Sequence, residues 1–167
     1  GVTYDSLFTI PITTLSFTDQ DVNVDETSYY YRVFAQDECG DQTLTGLYGR
    51  SILLEVNLPS TSADPELSWS PYEQWPGGEL TYTIEVFDEA SGAFELVDIL
   101  PGNVTEYIDN RTELDQAMYC YRIVATEAGG NESVSVSNES CIVFGPSLFV
   151  PSAFSPNGDG RNDFFTL

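Results

Sequence analysis

Apolar and polar residues alternate with period two along much of the chain. In "YYYRVFA" (29–35) the alternation places Tyr29, Tyr31, Val33 and Ala35 on one face of an extended segment. "YCYRIVA" (119–125) does the same with Tyr119, Tyr121, Ile123 and Ala125. "LTYTIEVF" (80–87) alternates likewise, and "ELSWSPY" (66–72) contributes Trp69. Gly, Asn, Asp and Pro punctuate these runs at roughly 8–12-residue intervals, and no stretch carries a convincing 3.6-residue period. The pattern predicts an all-β chain built of sandwich-like units.

The alternating segments recur. Residues 4–40 align without a gap on residues 94–130, and Pro11/Pro101, Asp19/Asp109, Asp25/Asp115, Tyr29/Tyr119, Tyr31/Tyr121, Arg32/Arg122, Ala35/Ala125 and Gly40/Gly130 are identical pairs. Tyr4/Phe94, Phe17/Tyr107, Val24/Leu114 and Val33/Ile123 exchange like for like. A repeat of this length is a whole structural unit rather than a short motif. The reading divides the chain into the C-terminal part of one unit (1–57), a complete second unit (58–146) and the beginning of a third segment (147–167). The first part lacks the strands that would cover its inner face, so either upstream residues or another chain is expected to supply them.

The unit resembles a fibronectin type III domain. "LSW" (67–69) is similar to its second strand, "YTIEVF" (82–87) to the third, "VTEYID" (104–109) to the fifth and "LDQAMYCYRIVA" (114–125) to the sixth. The resemblance implies a tyrosine corner in which the Tyr119 hydroxyl returns to the loop backbone near Leu114.

Composition narrows the chemistry. The chain holds 27 carboxylates and five arginines, for a net charge of -22, with no histidine; it also has no lysine. Such a surface repels phosphate backbones and anionic lipid, which argues against nucleic acid as a partner and against membrane-surface binding. No apolar run approaches the length of a membrane span, so no membrane insertion is expected. Without histidine, neither Ser–His nor Cys–His nucleophile pairs can be assembled from this chain, and the commonest transition-metal ligand is missing. A non-enzymatic protein is expected.

Cys120 and Cys141 lie at nearly equal distances on either side of the "GGN" turn (129–131), and the alternation turns Cys120 to the outer face. Opposed positions on antiparallel neighbours come close enough for a bridge, so a Cys120–Cys141 disulfide and an oxidising, extracytoplasmic location are expected. At the corresponding places the first unit has Tyr30 and Ile52, read as an apolar pair. Cys39 has no partner in the chain, which points to a bond outside it. Asn103, Asn110, Asn131 and Asn138 each open an Asn-X-Ser/Thr triplet.

The tail, "FSPNGDGRNDFF" (154–165), carries three readings. Asn157, Asp159 and Asp163 could supply oxygens to a calcium ion as cofactor, although Arg161 stands where such a loop wants another ligand. Asn-Gly and Asp-Gly are also ordinary turn formers. Most specifically, "LFVPSAFSPNGDGRNDFF" (148–165) resembles the start of the type B sorting domain of the Bacteroidota type IX secretion system, through Pro151, Ala153, Phe154, Pro156, Asn157, Gly158, Asp159, Gly160, Asn162 and Asp163. That resemblance implies an exported cell-surface protein whose partner is the outer-membrane export machinery, with the preceding units acting as a stalk. Two alternatives stay open. One is a glycan-binding or adhesin module using Tyr72, Trp75 and Tyr82; the other is a fibre subunit completed by strands from a neighbouring subunit.

Overall fold

In the computed structural model, residues 4–44, 48–60, 62–73, 75, 79–111, 117–127 and 133–144 are described. They contain no helix. The strands are β1 (Tyr30–Tyr31), β2 (Phe34–Gln36), β3 (Gln42–Leu44), β4 (Gly49–Arg50), β5 (Leu54–Asn57), β6 (Glu66–Trp69), β7 (Glu79–Asp88), β8 (Ala93–Pro101), β9 (Glu106–Ile108), β10 (Met118–Glu127), β11 (Val134–Val136) and β12 (Ser140–Val143). Every pairing is antiparallel. The all-β expectation holds.

The C-terminal unit is two sheets. One has the order β5-β6-β9; the other runs β11-β10-β7-β8, with β12 also paired to β10. Their inner faces meet in one core, in which Leu54, Leu67, Tyr82, Ile84, Tyr121 and Ile123 are essentially inaccessible. β7 and β10 run ten residues each because alternating side chains bury one face while both edges find backbone partners.

β11 and β12 together form one interrupted edge strand along β10. At the break Ser137 N–H still donates to Ile123 O at 2.9 Å, and the Ser137 hydroxyl accepts from Ile123 N–H at 2.9 Å. Next to it, Asn138 leaves the edge strand and crosses to the other sheet. Its Oδ1 accepts from Leu54 N–H at 2.7 Å and its Nδ2 donates to Leu54 O at 3.1 Å. A side-chain amide thus stands in for a neighbouring strand on β5 and holds the two sheets together on that side.

The first unit differs from the uninterrupted strand that "YYYRVFA" predicts. Here β1 pairs with β4 and β2 with β3, as β10 pairs with β12 and β11, but residues 32 and 33 interrupt the strand. No described strand flanks β1 or β2 where β7 flanks β10, so half of their backbone groups lack a ladder. Val33 is 70% exposed where its counterpart Ile123 is fully buried.

Two sequence expectations require correction. The boundary after residue 57 falls too late, because β5 pairs with β6 and Ile52 and Leu54 sit in the core of the second unit. Alternation marks a strand without saying which sheet receives it. For the same reason Tyr30 does not pair with Ile52. It faces Arg50, whose guanidinium lies 5.4 Å from the Tyr30 ring centroid.

The Asn138 amide generates the first prediction. Asn138→Ala leaves a β5 N–H and C=O without partners at a part-buried edge, and should destabilise the chain by about 1–3 kcal/mol in urea unfolding. Asn138→Asp keeps the acceptor but loses the donor and should fall between. An Ala variant as stable as the parent would show that solvent replaces the clamp at no cost.

Candidate functional site

Among the described residues the chemistry-bearing side chains concentrate in the bridge, a repeated tyrosine–aspartate contact and the junction between the units. Cys120 and Cys141 are directly opposed in the β10–β12 register and bonded, with S–S 2.10 Å and Cα–Cα 4.0 Å. That close approach is characteristic of a non-hydrogen-bonded pair. Cys120 is half-buried and Cys141 exposed, so the bridge lies on the outer side as the alternation implies. Cys39 is exposed in a tight turn where the Asp37 carboxylate accepts from Cys39 and Asp41 N–H at 2.9 Å each. Gly40 closes this turn with φ 90°, a conformation that costs glycine little.

The repeat's identities acquire a physical meaning. Tyr121 donates its hydroxyl to Asp109 Oδ2 at 2.8 Å, and Tyr31 donates to Asp19 Oδ2 at 3.2 Å. Both aspartates also accept from the backbone N–H two residues on, at Arg111 and Asp21. Arg122 lies over the Phe94 ring at 3.9 Å, and Arg32 lies over Tyr4 at 4.8 Å. In the first unit the Tyr29 hydroxyl accepts from Asn23 N–H at 3.0 Å, six residues upstream. In the second unit Tyr119 is buried and packs edge-on against Phe144, while Leu114 lies outside the described residues.

Among the described residues Asp109 is the most strongly held carboxylate. It is fully buried, and Arg111 Nε reaches its two oxygens at 2.7 and 2.9 Å, with Nη2 adding a further bond to Oδ2. Its N–H donates to Pro65 O at 2.9 Å, which ties the end of β9 to the approach to β6. Burial alone would raise the carboxyl pKa, but donation from Arg111 and Tyr121 outweighs it and holds Asp109 below the usual carboxylate range. The same contact, after burial, pushes the Tyr121 hydroxyl well above its ordinary value. Only the repeat identity marks Asp109 in the sequence; nothing there separates it from 26 other carboxylates.

The aromatic trio considered for sugar stacking does not form an exposed platform. Tyr82 is fully buried and its hydroxyl accepts from Tyr72 N–H at 2.9 Å. Tyr72 and Trp75 are part-buried, lie 4.0 Å apart at their ring centroids and pack against the core. Tyr82 was assigned to the wrong side because period two cannot tell a buried face from an exposed one. The triplet asparagines also separate. Asn103 and Asn110 are exposed, the Asn138 amide is occupied by Leu54, and Asn131 lies outside the described residues. The sorting-motif residues Pro156, Asn157, Gly158, Asp159, Gly160, Asn162 and Asp163, including the calcium candidates Asn157, Asp159 and Asp163, lie outside them too.

The junction between the units is the feature that sequence reading missed. Backbone pairing continues through it almost without a break. Gly49 and Arg50 pair with β1, Ser51 N–H donates to Tyr29 O at 2.9 Å, Ser70 N–H donates to Leu53 O at 3.0 Å, and β5 then pairs with β6. Hydroxyls reinforce the crossing. Ser51 Oγ accepts from Tyr29 N–H at 2.8 Å, Ser70 Oγ accepts from Leu53 N–H at 2.9 Å, and Ser28 and Ser70 hydroxyls meet at 3.3 Å. Arg50 pairs with Glu73 at 3.1 Å. Gly49 sits so close to Tyr72 that a Cβ there would lie 3.0 Å from the Tyr72 hydroxyl. Isolated serines and one glycine give no signal in a single sequence.

No family model and no curated protein matches the chain. Among solved structures, it is similar to pectate lyase Pel3 from Pectobacterium carotovorum, with TM-score 0.44, 22% identity, and coverage of 60% of this chain and 29% of that one. It is also similar to pectate lyase PelI from Erwinia chrysanthemi, with TM-score 0.44, 17% identity, and coverage of 58% of this chain and 28% of the lyase. The chain therefore spans under a third of the length of these enzymes.

Asp109 generates the second prediction. Its folded pKa is depressed, so its contribution to stability is complete above the unfolded carboxylate value near 4 and is lost as the pH falls below it through the folded value. Asp109→Asn should lower stability at pH 7 by about 1–3 kcal/mol. Its unfolding midpoint should also fall less steeply than the parent's between about pH 5 and pH 2. Parallel pH curves for the two proteins would remove Asp109 from the acid response.

Proposed function

We propose that the chain is a non-enzymatic spacer in a secreted surface protein, made of fibronectin type III-like units and leading into a type IX sorting segment. The observation that carries this reading is the junction, where one extended segment serves the last strand of one unit and the first strand of the next. A spacer must transmit orientation, and hydrogen-bonded backbone resists bending far better than a polar linker does. The strand order β5-β6-β9 against β11-β10-β7-β8 and the return of the Tyr29 hydroxyl to the backbone at Asn23 support the fibronectin-like assignment. The disulfide and the absence, among the described residues, of any helix long and apolar enough to cross a membrane are compatible with an extracellular site. The tail motif supports export, with the outer-membrane machinery as partner. The stalk's role is mechanical, holding other domains at a distance, and it calls on no reacting side chain.

The test is the stiffness of the junction. In 15N relaxation measurements the two units should tumble as one elongated body. Gly49→Val drives a branched side chain into Tyr72, and combined with Ser70→Ala it should decouple the units and shorten the rotational correlation time of each. Independent tumbling in the parent protein would overturn the spacer reading. Unchanged tumbling in the double variant would show that stiffness arises elsewhere than at Ser70 and Tyr72.

A further inference from the structure

In the second unit β7 lies between β10 and β8 and is antiparallel to both. Residues 29–36 align with 119–126 of β10, and residues 4–11 align with 94–101 of β8. No described strand occupies the place of β7 in the first unit. Both neighbours of that place are altered. β8 has β7 as its one ladder partner among the described strands, and residues 4–11, which lack such a partner, form no strand. Between the two segments lies a cleft of about 680 Å³, walled mainly by residues 4–12 on one side and 30–36 on the other. Tyr4, Leu7, Phe8, Val33 and Phe34 stand exposed around it. One contact that spans this place is kept. Arg122 crosses the outer side of β7 to lie over Phe94 of β8, and Arg32 lies over Tyr4 in the same way. The ion pair beside it is not kept. Arg122 Nε is 2.6 Å from Glu85 of β7, whereas Arg32 is exposed and makes no ion pair among the described residues.

We propose that this cleft accepts one extended peptide strand with the chemistry of β7, antiparallel to residues 29–36 and to residues 4–11. The walls select that occupant. Residues 4–10 make no backbone hydrogen bond among the described residues, and β1 and β2 each have a partner strand on one edge. A lipid, a glycan or a flat sheet face could cover the apolar side chains. Only an inserted backbone presents donors and acceptors to both walls at strand spacing. The β10–β7 register then sets what its side chains must be. Val86, Ile84 and Tyr82 stand opposite Tyr121, Ile123 and Ala125, so apolar residues are required opposite Tyr31, Val33 and Ala35. Glu85 stands opposite Arg122, so the strand carries a carboxylate opposite Arg32. With the cleft filled, β1 and β2 join into the single strand that the alternation of "YYYRVFA" predicts.

The test adds the β7 peptide itself, ELTYTIEVFD (residues 79–88), to the whole 167-residue chain. At saturating peptide, amide hydrogen exchange over residues 29–36 should slow by about tenfold or more, while exchange over β10 stays unchanged. Glu85→Arg in the peptide sets like charges together at Arg32 and should weaken binding about tenfold. Arg32→Glu in the chain should restore binding of that reversed peptide and weaken binding of the original one. Circular dichroism and an intact Cys120–Cys141 bridge report folding of the Arg32→Glu chain. If that chain does not fold, Ile84→Asp in the peptide takes its place; it puts a charge opposite Val33 and should abolish binding. No slowing over residues 29–36 overturns the proposal. So does a change confined to β10, which would mean that the peptide replaces β7 in the second unit, or a charge reversal without effect. Protection of residues 29–36 that is present without peptide and lost on dilution would put a second copy in the cleft, and overturns it too.

Discussion

One extended segment, residues 49–57, has to satisfy two sheets at once, and much of the architecture depends on how it does so. A buried or part-buried strand cannot leave its N–H and C=O groups unpaired without losing free energy comparable to a hydrogen bond for each. The chain meets that condition by changing partner across the Ser51–Leu53 step, with Ser51 still on Tyr29 and Leu53 already on Ser70. Ile52 is thereby committed to the second core, and Arg50 is left outward to cover Tyr30 and pair with Glu73. The part-exposed ion pair contributes under about 1 kcal/mol. Direction at the joint is therefore set chiefly by the backbone ladder and the serine hydroxyls.

The same accounting explains Asn138. An edge strand that stops at Val136 and resumes at Ser140 would leave one edge of β5 without a neighbour, and a side-chain amide, with its donor and acceptor on separate atoms, meets the N–H and C=O of Leu54 together. Its place in an Asn-Glu-Ser triplet shows how little a three-residue match reveals. The amide nitrogen that glycosylation would need is already spent on Leu54 O.

How much was legible follows from these cases. β7, β10 and the Cys120–Cys141 bridge were readable because each depends on local alternation and on symmetry about a turn. The boundary between units, the burial of Tyr82 and the partner of Tyr30 were not, because period two specifies a strand and its faces but not which sheet receives it. The repeat flagged Asp19/Asp109 and Tyr31/Tyr121 without giving a reason. The reason is a hydroxyl–carboxylate bond that is kept in the first unit although no described strand flanks β1 there, which marks it as a local device fastening the segment before the tyrosine strand rather than a product of core packing.

Charge is distributed unevenly over the described surface. Burying Asp109 against Arg111 and Tyr121 removes one carboxylate from the field, and Arg122 with Glu85 cancels locally. Most of the other described carboxylates remain on the surface, where mutual repulsion favours an extended chain. Repulsion between like-charged rods falls steeply with added salt, whereas apolar contact does not. In the second unit, Glu55, Glu66 and Glu106 face outward from the three-stranded sheet, whereas Val124, Thr126, Thr81 and Thr83 face outward from the five-stranded one, so the two outer faces differ in charge.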